Sequence, residues 1–333
     1  MSLPLPPGPL SALAIGGYFE LEMPLPRHGI HAGARRYQSA RAALAALLQA
    51  GRPGRIWMPN YVCDAVPAAA RGAGIDCVFY SLDDRWMPDA ATSPTSGDWL
   101  LYVNYFGILD AKVDGVISRF GAERVIIDNS QALFSRPREC LASVYSPRKF
   151  VGIPDGGLLL TALDVPPPGL EDSASPARCT HLLKRLCGEP ENGYADFKAA
   201  EATLEDTEPR RMSRLTERML EAIDFEQVRV RRNANFHVLH ELLGKSNRLD
   251  FDPAPVDGPL CYPLLPARPH PDMRAELYGR RILVATYWPE ALGRVAASSL
   301  EAALTRNCLP LPCDQRYSEA DMRKIAAAVQ DWV

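Results

Sequence analysis

Between residues 39 and 162, short apolar runs alternate with helical stretches, and this alternation most limits the folds open to the chain. QSARAALAALLQA (38–50) has helical composition and is closed by Gly51 and Pro53. RIWM (55–58) reads as a strand, residues 62–71 as a helix, and DCVFY (76–80) as the next strand. WLLYVNYF (99–106) and RVIIDN (124–129) follow as buried strands, with the helix AKVDGVISRF (111–120) between them. Strands that are apolar along their whole length and separated by helices predict an α/β fold with a mostly parallel sheet covered on both faces. Ligands collect at the carboxyl ends of such strands. Asn104, Asp128 and the SPRK segment (146–149) all stand at such ends.

The Pro-, Ser- and acid-rich stretch 164–176 reads as a surface loop. Residues 212–243 are patterned as one long amphipathic helix, able to bridge two domains. PLCYPLL and RILVATYW are strand candidates, and EADMRKIAAAVQDW is a last helix, together a smaller α+β cap. At ~150 residues per domain, 333 residues suggest two domains, placed at 1–230 and 231–333.

Composition narrows the function. Hydrophobic residues make up 47% and charged residues 23%, enough apolar surface for a real core. With 37 basic and 40 acidic side chains the net charge is −3, so nothing favours nucleic acid or an anionic membrane. No apolar run reaches the ~18 residues of a membrane span, and the amino terminus lacks the features of a signal peptide. A cytoplasmic location is expected. The eight cysteines include no CxxC pair and read as reduced thiols, with neither a disulfide framework nor a zinc site. His237 and His240 stand three apart in a probable helix and read as ordinary helix residues, so no metal is expected.

Three pieces carry chemistry together. Asp128 ends an apolar strand with Gln131 three residues on, in VIIDNSQAL. Lys149 follows the strand-like ASVYSPRKF, and PDGG (154–157) is a tight turn leading into LLLTA. Pyridoxal 5'-phosphate needs such a set: a lysine for covalent attachment and a carboxylate to keep the ring nitrogen protonated. The phosphate needs a helix amino terminus, which Ser39, Ala40 and Arg41 can supply. A strand-end Asp alone is usually a turn residue and a lone Lys is usually solvated, so the signal lies in their joint order.

In that order the chain resembles the DegT/DnrJ/EryC1/StrS aminotransferases, the sugar branch of the fold-type-I pyridoxal-phosphate enzymes. SARAAL (39–44) stands where the family has its Ser-Gly-Thr phosphate loop, and VIIDNSQAL where it has Val-Ile-Glu-Asp-Ala-Ala-Gln-Ala. Lys149 is followed by Asp155, Gly156 and Gly157 at the spacing of the family's Glu-Gly-Gly, and LPLPCDQRYSEADMRKI is similar to its closing segment. The resemblance implies that Lys149 is catalytic, that Asp128 meets the ring nitrogen and that Gln131 meets the phenolic oxygen. It also implies cofactor contacts from Ser39, Ala40, Arg41, Asn104 and Ser146. Ungapped spacing puts the ring-stacking position at Cys63 and a small shift puts it at Tyr61, the only one of the two with a π-face.

The departures are specific. Ala40 and Arg41 replace the loop's Gly and Thr. EPRRM (208–212) stands for Gly-x-Asn-x-Arg-Met, so Pro209 replaces the Asn that reaches the partner subunit's phosphate, while Arg211 remains as a cation. The implied activity is that of a homodimeric aminotransferase. It would move an amino group from an amino acid, by analogy glutamate, to a keto-sugar nucleotide for surface-polysaccharide synthesis. Two other readings stay open: a binding or regulatory protein on the same fold, and a pyridoxal-phosphate-dependent sugar dehydratase.

Overall fold

The computed structural model describes residues 15–27, 29–206 and 208–333. Most of the amino-terminal segment read above for leader features lies outside them. The large sheet and its helices comprise β1 (Arg35–Tyr37), α1 (Ala40–Gly51), β2 (Arg55–Pro59), α2 (Ala65–Gly72), β3 (Asp76–Tyr80), β4 (Trp99–Val103), α3 (Asp110–Phe120), β5 (Val125–Asn129), β6 (Ala142–Tyr145) and β7 (Gly157–Thr161). The strands order as β1-β7-β6-β5-β4-β2-β3. Strands β2 to β6 run parallel, while β7 is antiparallel to both β6 and β1. Every residue of β4, β5 and β6 is buried, as the unbroken apolar runs require of a sheet covered on both faces. The mostly parallel α/β architecture read from the sequence is thus the observed one.

Helix α1 is buried on nearly all sides, from Ala42 through Leu48, and forms the centre of one covering layer. Ser39 caps it, its Oγ accepting from the Ala42 amide at 3.1 Å. Gly51 is the helix's last residue rather than the turn beyond it. The Trp99 ring fills the space where a Gly51 Cβ would stand, and the left-handed closing residue is Arg52, at φ 44°. Strand β4 ends at Val103, short of the expected 106, because Phe106 turns left-handed at φ 56° in a tight turn.

After β7 come α4 (Ser175–Arg178), α5 (Thr180–Cys187), α6 (Pro190–Ala202), α7 (Arg214–Ala222) and α8 (Phe225–Leu243). The single long helix expected over 212–243 is therefore two. Ile223 is extended, and Asp224 starts a new helix by accepting from the Gln227 amide at 3.0 Å. The rest comprises β8 (Tyr262–Leu264), α9 (Met273–Gly279), α10 (Leu300–Asn307), β9 (Leu309–Leu311) and α11 (Glu319–Ala328). Strands β8 and β9 pair antiparallel as a separate two-stranded sheet. RILVATYW is not a strand. It runs between left-handed Arg281 and Trp288 with no pairing partner among the described residues.

The expected division after residue 230 falls inside α8. From that helix, buried Arg232 donates to the Phe150 carbonyl on one side and to the Pro259 and Leu260 carbonyls on the other. Among the described residues no helix is long and apolar enough to cross a membrane, and no group of three or more His, Cys, Asp or Glu could hold a metal ion. All eight cysteines are unpaired.

Candidate active site

A cavity of about 170 Å³ opens at the carboxyl ends of β4, β5 and β6, against the amino terminus of α1. Its walls bring together Asp128, Gln131 and Lys149 with Ser39, Ala40, Arg41 and Ser146. Parallel register explains the gathering: Val103 pairs with Asp128, and Asp128 with Val144. One residue beyond β6 the chain turns at Ser146, and a single helical turn over Pro147–Lys149 brings the lysine to the cavity mouth, where it is exposed.

Asp128 is buried. Its Oδ1 accepts from the Ser130 amide at 2.8 Å, and its Oδ2 has no partner among the described residues. Gln131 is fully buried; its Oε1 accepts from the Phe106 amide at 2.9 Å, while its Nε2 has no partner among the described residues. A buried amide donor left without an acceptor is costly, and here it belongs to a side chain in the cavity wall. An acceptor oxygen on a ligand in the cavity would satisfy it.

The PDGG turn is shaped for this helix. Gly156 holds φ +128°, which an L side chain rarely adopts. Its amide donates to the Gln38 carbonyl at 2.7 Å, tying β7 to the residue before the Ser39 cap. Asp155 is fully buried and binds outward from the cavity, accepting from Ser175 Oγ at 2.7 Å and from the Ser213 amide at 3.0 Å. Burial pushes its carboxyl above the usual range, against the opposing hydrogen bonds.

Three expected residues lie elsewhere. Asn104 is buried on the opposite face of the sheet from Val103, because successive strand residues alternate. Its Nδ2 donates to Asn129 Oδ1 at 3.1 Å, and it does not line the cavity. Tyr61 is also buried away from the cavity, its ring 5.5 Å from Tyr105 and 4.6 Å from Trp288. Arg211 is exposed and outside its own chain's cavity; its backbone bridges Tyr37 and Glu171.

Cys63, the position given by ungapped spacing, does line the cavity, which also gains Trp288, Arg148, Glu201 and Leu204. Trp288 supplies an aromatic wall from the far end of the sequence, and Glu201 and Leu204 come from the end of α6. No local motif announces these three. Arg148 had a signal, being a second cation beside Lys149.

No family model and no curated protein matches this sequence. Solved structures do. A DegT DnrJ EryC1 StrS aminotransferase from Brucella abortus matches with TM-score 0.60 and 16% identity, over 90% of this chain and 85% of that one. The putative sugar aminotransferase Spr1654 from Streptococcus pneumoniae, in its PMP form, matches with TM-score 0.62 and 15% identity, over 90% and 87%. PseC from Helicobacter pylori, an aminotransferase involved in pseudoaminic acid biosynthesis, matches with TM-score 0.55 and 17% identity, over 90% and 86%. Across nine-tenths of its length, the chain shares the fold of these aminotransferases.

Proposed function

We propose that the chain is a cytoplasmic pyridoxal-phosphate-dependent aminotransferase of the DegT/DnrJ/EryC1/StrS type, acting on a keto-sugar nucleotide with an amino acid such as glutamate as donor. The observation that carries this reading is the unpartnered Gln131 Nε2, set in one cavity wall with Asp128 and Lys149. The cofactor, when bound, supplies an electron-withdrawing ring that stabilises negative charge at the substrate carbon. The chain's residues do the rest. Asp128 holds a proton on the ring nitrogen, and Gln131 Nε2 donates to the phenolic oxygen. Ser39, Ala40, Arg41 and Ser146 surround the phosphate at the positive end of α1. Lys149 Nζ would be the point of attachment, and as a free amine it would take the proton from the substrate's α carbon.

A homodimer and a role in surface-polysaccharide synthesis belong to the same proposal, as does the division into a large unit (1–230) and a small one (231–333). Exposed Leu183, Leu186, Tyr194 and Phe197 on α5 and α6 favour a partner for that face. Borohydride reduction of protein incubated with pyridoxal phosphate, followed by peptide mapping, tests the attachment. The label is expected on Lys149, and label on Lys112 or Lys184 would reject the assignment. A glutamate half-reaction then separates a transaminase from a protein that only holds the cofactor.

A further inference from the structure

The phosphate end of the cavity is closed by the chain's own helix. Arg148 donates through Nη2 to Glu201 Oε1, an ion pair between the turn that carries Lys149 and the end of α6. Beside it, Arg41 Nη1 donates to the Leu204 carbonyl at 2.8 Å. All four residues line the cavity, and each arginine keeps a buried Nε with no partner among the described residues. The strap is fastened at its base. Thr203 Oγ1 accepts from Arg178 Nε at 2.6 Å, and Arg178 forms a buried ion pair with Asp172. Leu204 is buried, whereas the Glu201 side chain is 43% exposed and the Arg148 side chain only 15%. Glu201 is therefore the member free to swing.

We propose that Arg41 and Arg148 form a clamp for a phosphate monoester dianion within a single chain, and that Glu201 is a latch which the phosphate displaces. This rests on reading the cavity as a pyridoxal-phosphate site. A carboxylate brings one negative charge and engages one guanidinium here. A phosphate brings nearly two charges and three acceptor oxygens, and the planar guanidinium fork fits such a group. The phosphate can thus satisfy donors on both arginines that Glu201 and the Leu204 carbonyl leave unmet. While Glu201 stays in place, its charge opposes the ligand's.

The test is calorimetric titration of the full chain with three probes: pyridoxal phosphate, pyridoxal and inorganic phosphate. Glu201→Gln is expected to tighten pyridoxal phosphate and inorganic phosphate at least fivefold and to leave pyridoxal unchanged. Arg148→Gln is expected to weaken both phosphate-bearing probes tenfold or more, with partial recovery in Arg148→Lys. Glu205→Gln removes the same charge one residue beyond Leu204 and outside the cavity; a gain equal to that of Glu201→Gln would overturn the latch. Unchanged phosphate affinities in both Glu201→Gln and Arg148→Gln would overturn the clamp, even with pyridoxal phosphate attached at Lys149. Inorganic phosphate that follows the expected pattern, in a protein that attaches no pyridoxal compound, would leave the clamp standing and reject the cofactor reading.

Discussion

Gly157 lies directly against the backbone of Ser39, so that a Cβ at 157 would overlap the Ser39 carbonyl and the Ala40 nitrogen. The first residue of β7 and the cap of α1 are thus in closest approach, and the helix end that faces the cavity is positioned by this contact. Gly157→Ala should force the two apart, at a cost of about 1–3 kcal/mol. Thermal unfolding together with equilibrium dialysis of pyridoxal phosphate should show a lower Tm and weaker retention. Normal stability with normal retention would mean that the helix end does not depend on the contact.

Gln131→Leu separates two roles of one side chain. It strips the Phe106 amide of its acceptor, which should lower the stability of the cofactor-free protein by about 1–3 kcal/mol. It also removes the unpartnered Nε2. Loss of a hydrogen bond to a charged oxygen should then weaken pyridoxal phosphate binding to the folded protein about tenfold or more. A variant that loses stability yet binds as tightly as the parent would confine Gln131 to a packing role.

Trp288 and Tyr61 pack edge to face at 4.6 Å, but only Trp288 lines the cavity. Tyr61→Phe should therefore leave cofactor affinity unchanged, while Trp288→Leu weakens it several-fold through lost aromatic contact. Fluorescence titration of both variants decides between them. Equal losses would point to the aromatic cluster as a whole rather than to the Trp288 ring.

What was legible in the sequence follows from what sets each feature. The strands of the parallel sheet are written in unbroken apolar runs, and their register alone brings Asp128 and the turn before Lys149 to one edge. Strand β1 is only three residues long and half-exposed, and it exists because β7 offers it an edge. The break at Ile223 turns on one capping carboxylate inside an otherwise continuous helical pattern. Ungapped spacing points to Cys63, which does line the cavity; the preference for Tyr61's π-face misleads, because the ring that reaches the cavity arrives from residue 288. Asn104 was placed by its position at a strand end. Its face was set by alternation from Val103, which points to the cavity and so turns Asn104 away.

Asp98, a residue with no motif around it, should control the acid stability of the sheet. It precedes β4 and is almost wholly buried. Its carboxylate accepts from Arg55 Nη2 at 2.8 Å and Nε at 3.2 Å, from the Thr95 amide at 2.9 Å and hydroxyl at 2.8 Å, and from Trp57 Nε1 at 3.2 Å. These bonds tie β2 to the loop ahead of β4, where the two strands share only two registered pairs. The Arg55 guanidinium, above all, holds the Asp98 carboxyl well below the usual range, against the opposing effect of burial. A carboxyl whose pKa is lower in the folded than in the unfolded chain stabilises the fold above the unfolded value of ~3.9. That stabilisation fades as the pH falls from there toward the folded value. Asp98→Asn should accordingly cost about 1–3 kcal/mol at pH 7. The difference between variant and parent should hold at pH 5 and shrink by pH 3, as the unfolded chain's carboxyl takes up a proton while the folded one stays ionised. Urea unfolding at the three pH values measures it. A penalty of the same size at pH 3 as at pH 7 would show that the Asn fails on shape rather than on charge, and would remove Asp98 from the acid response.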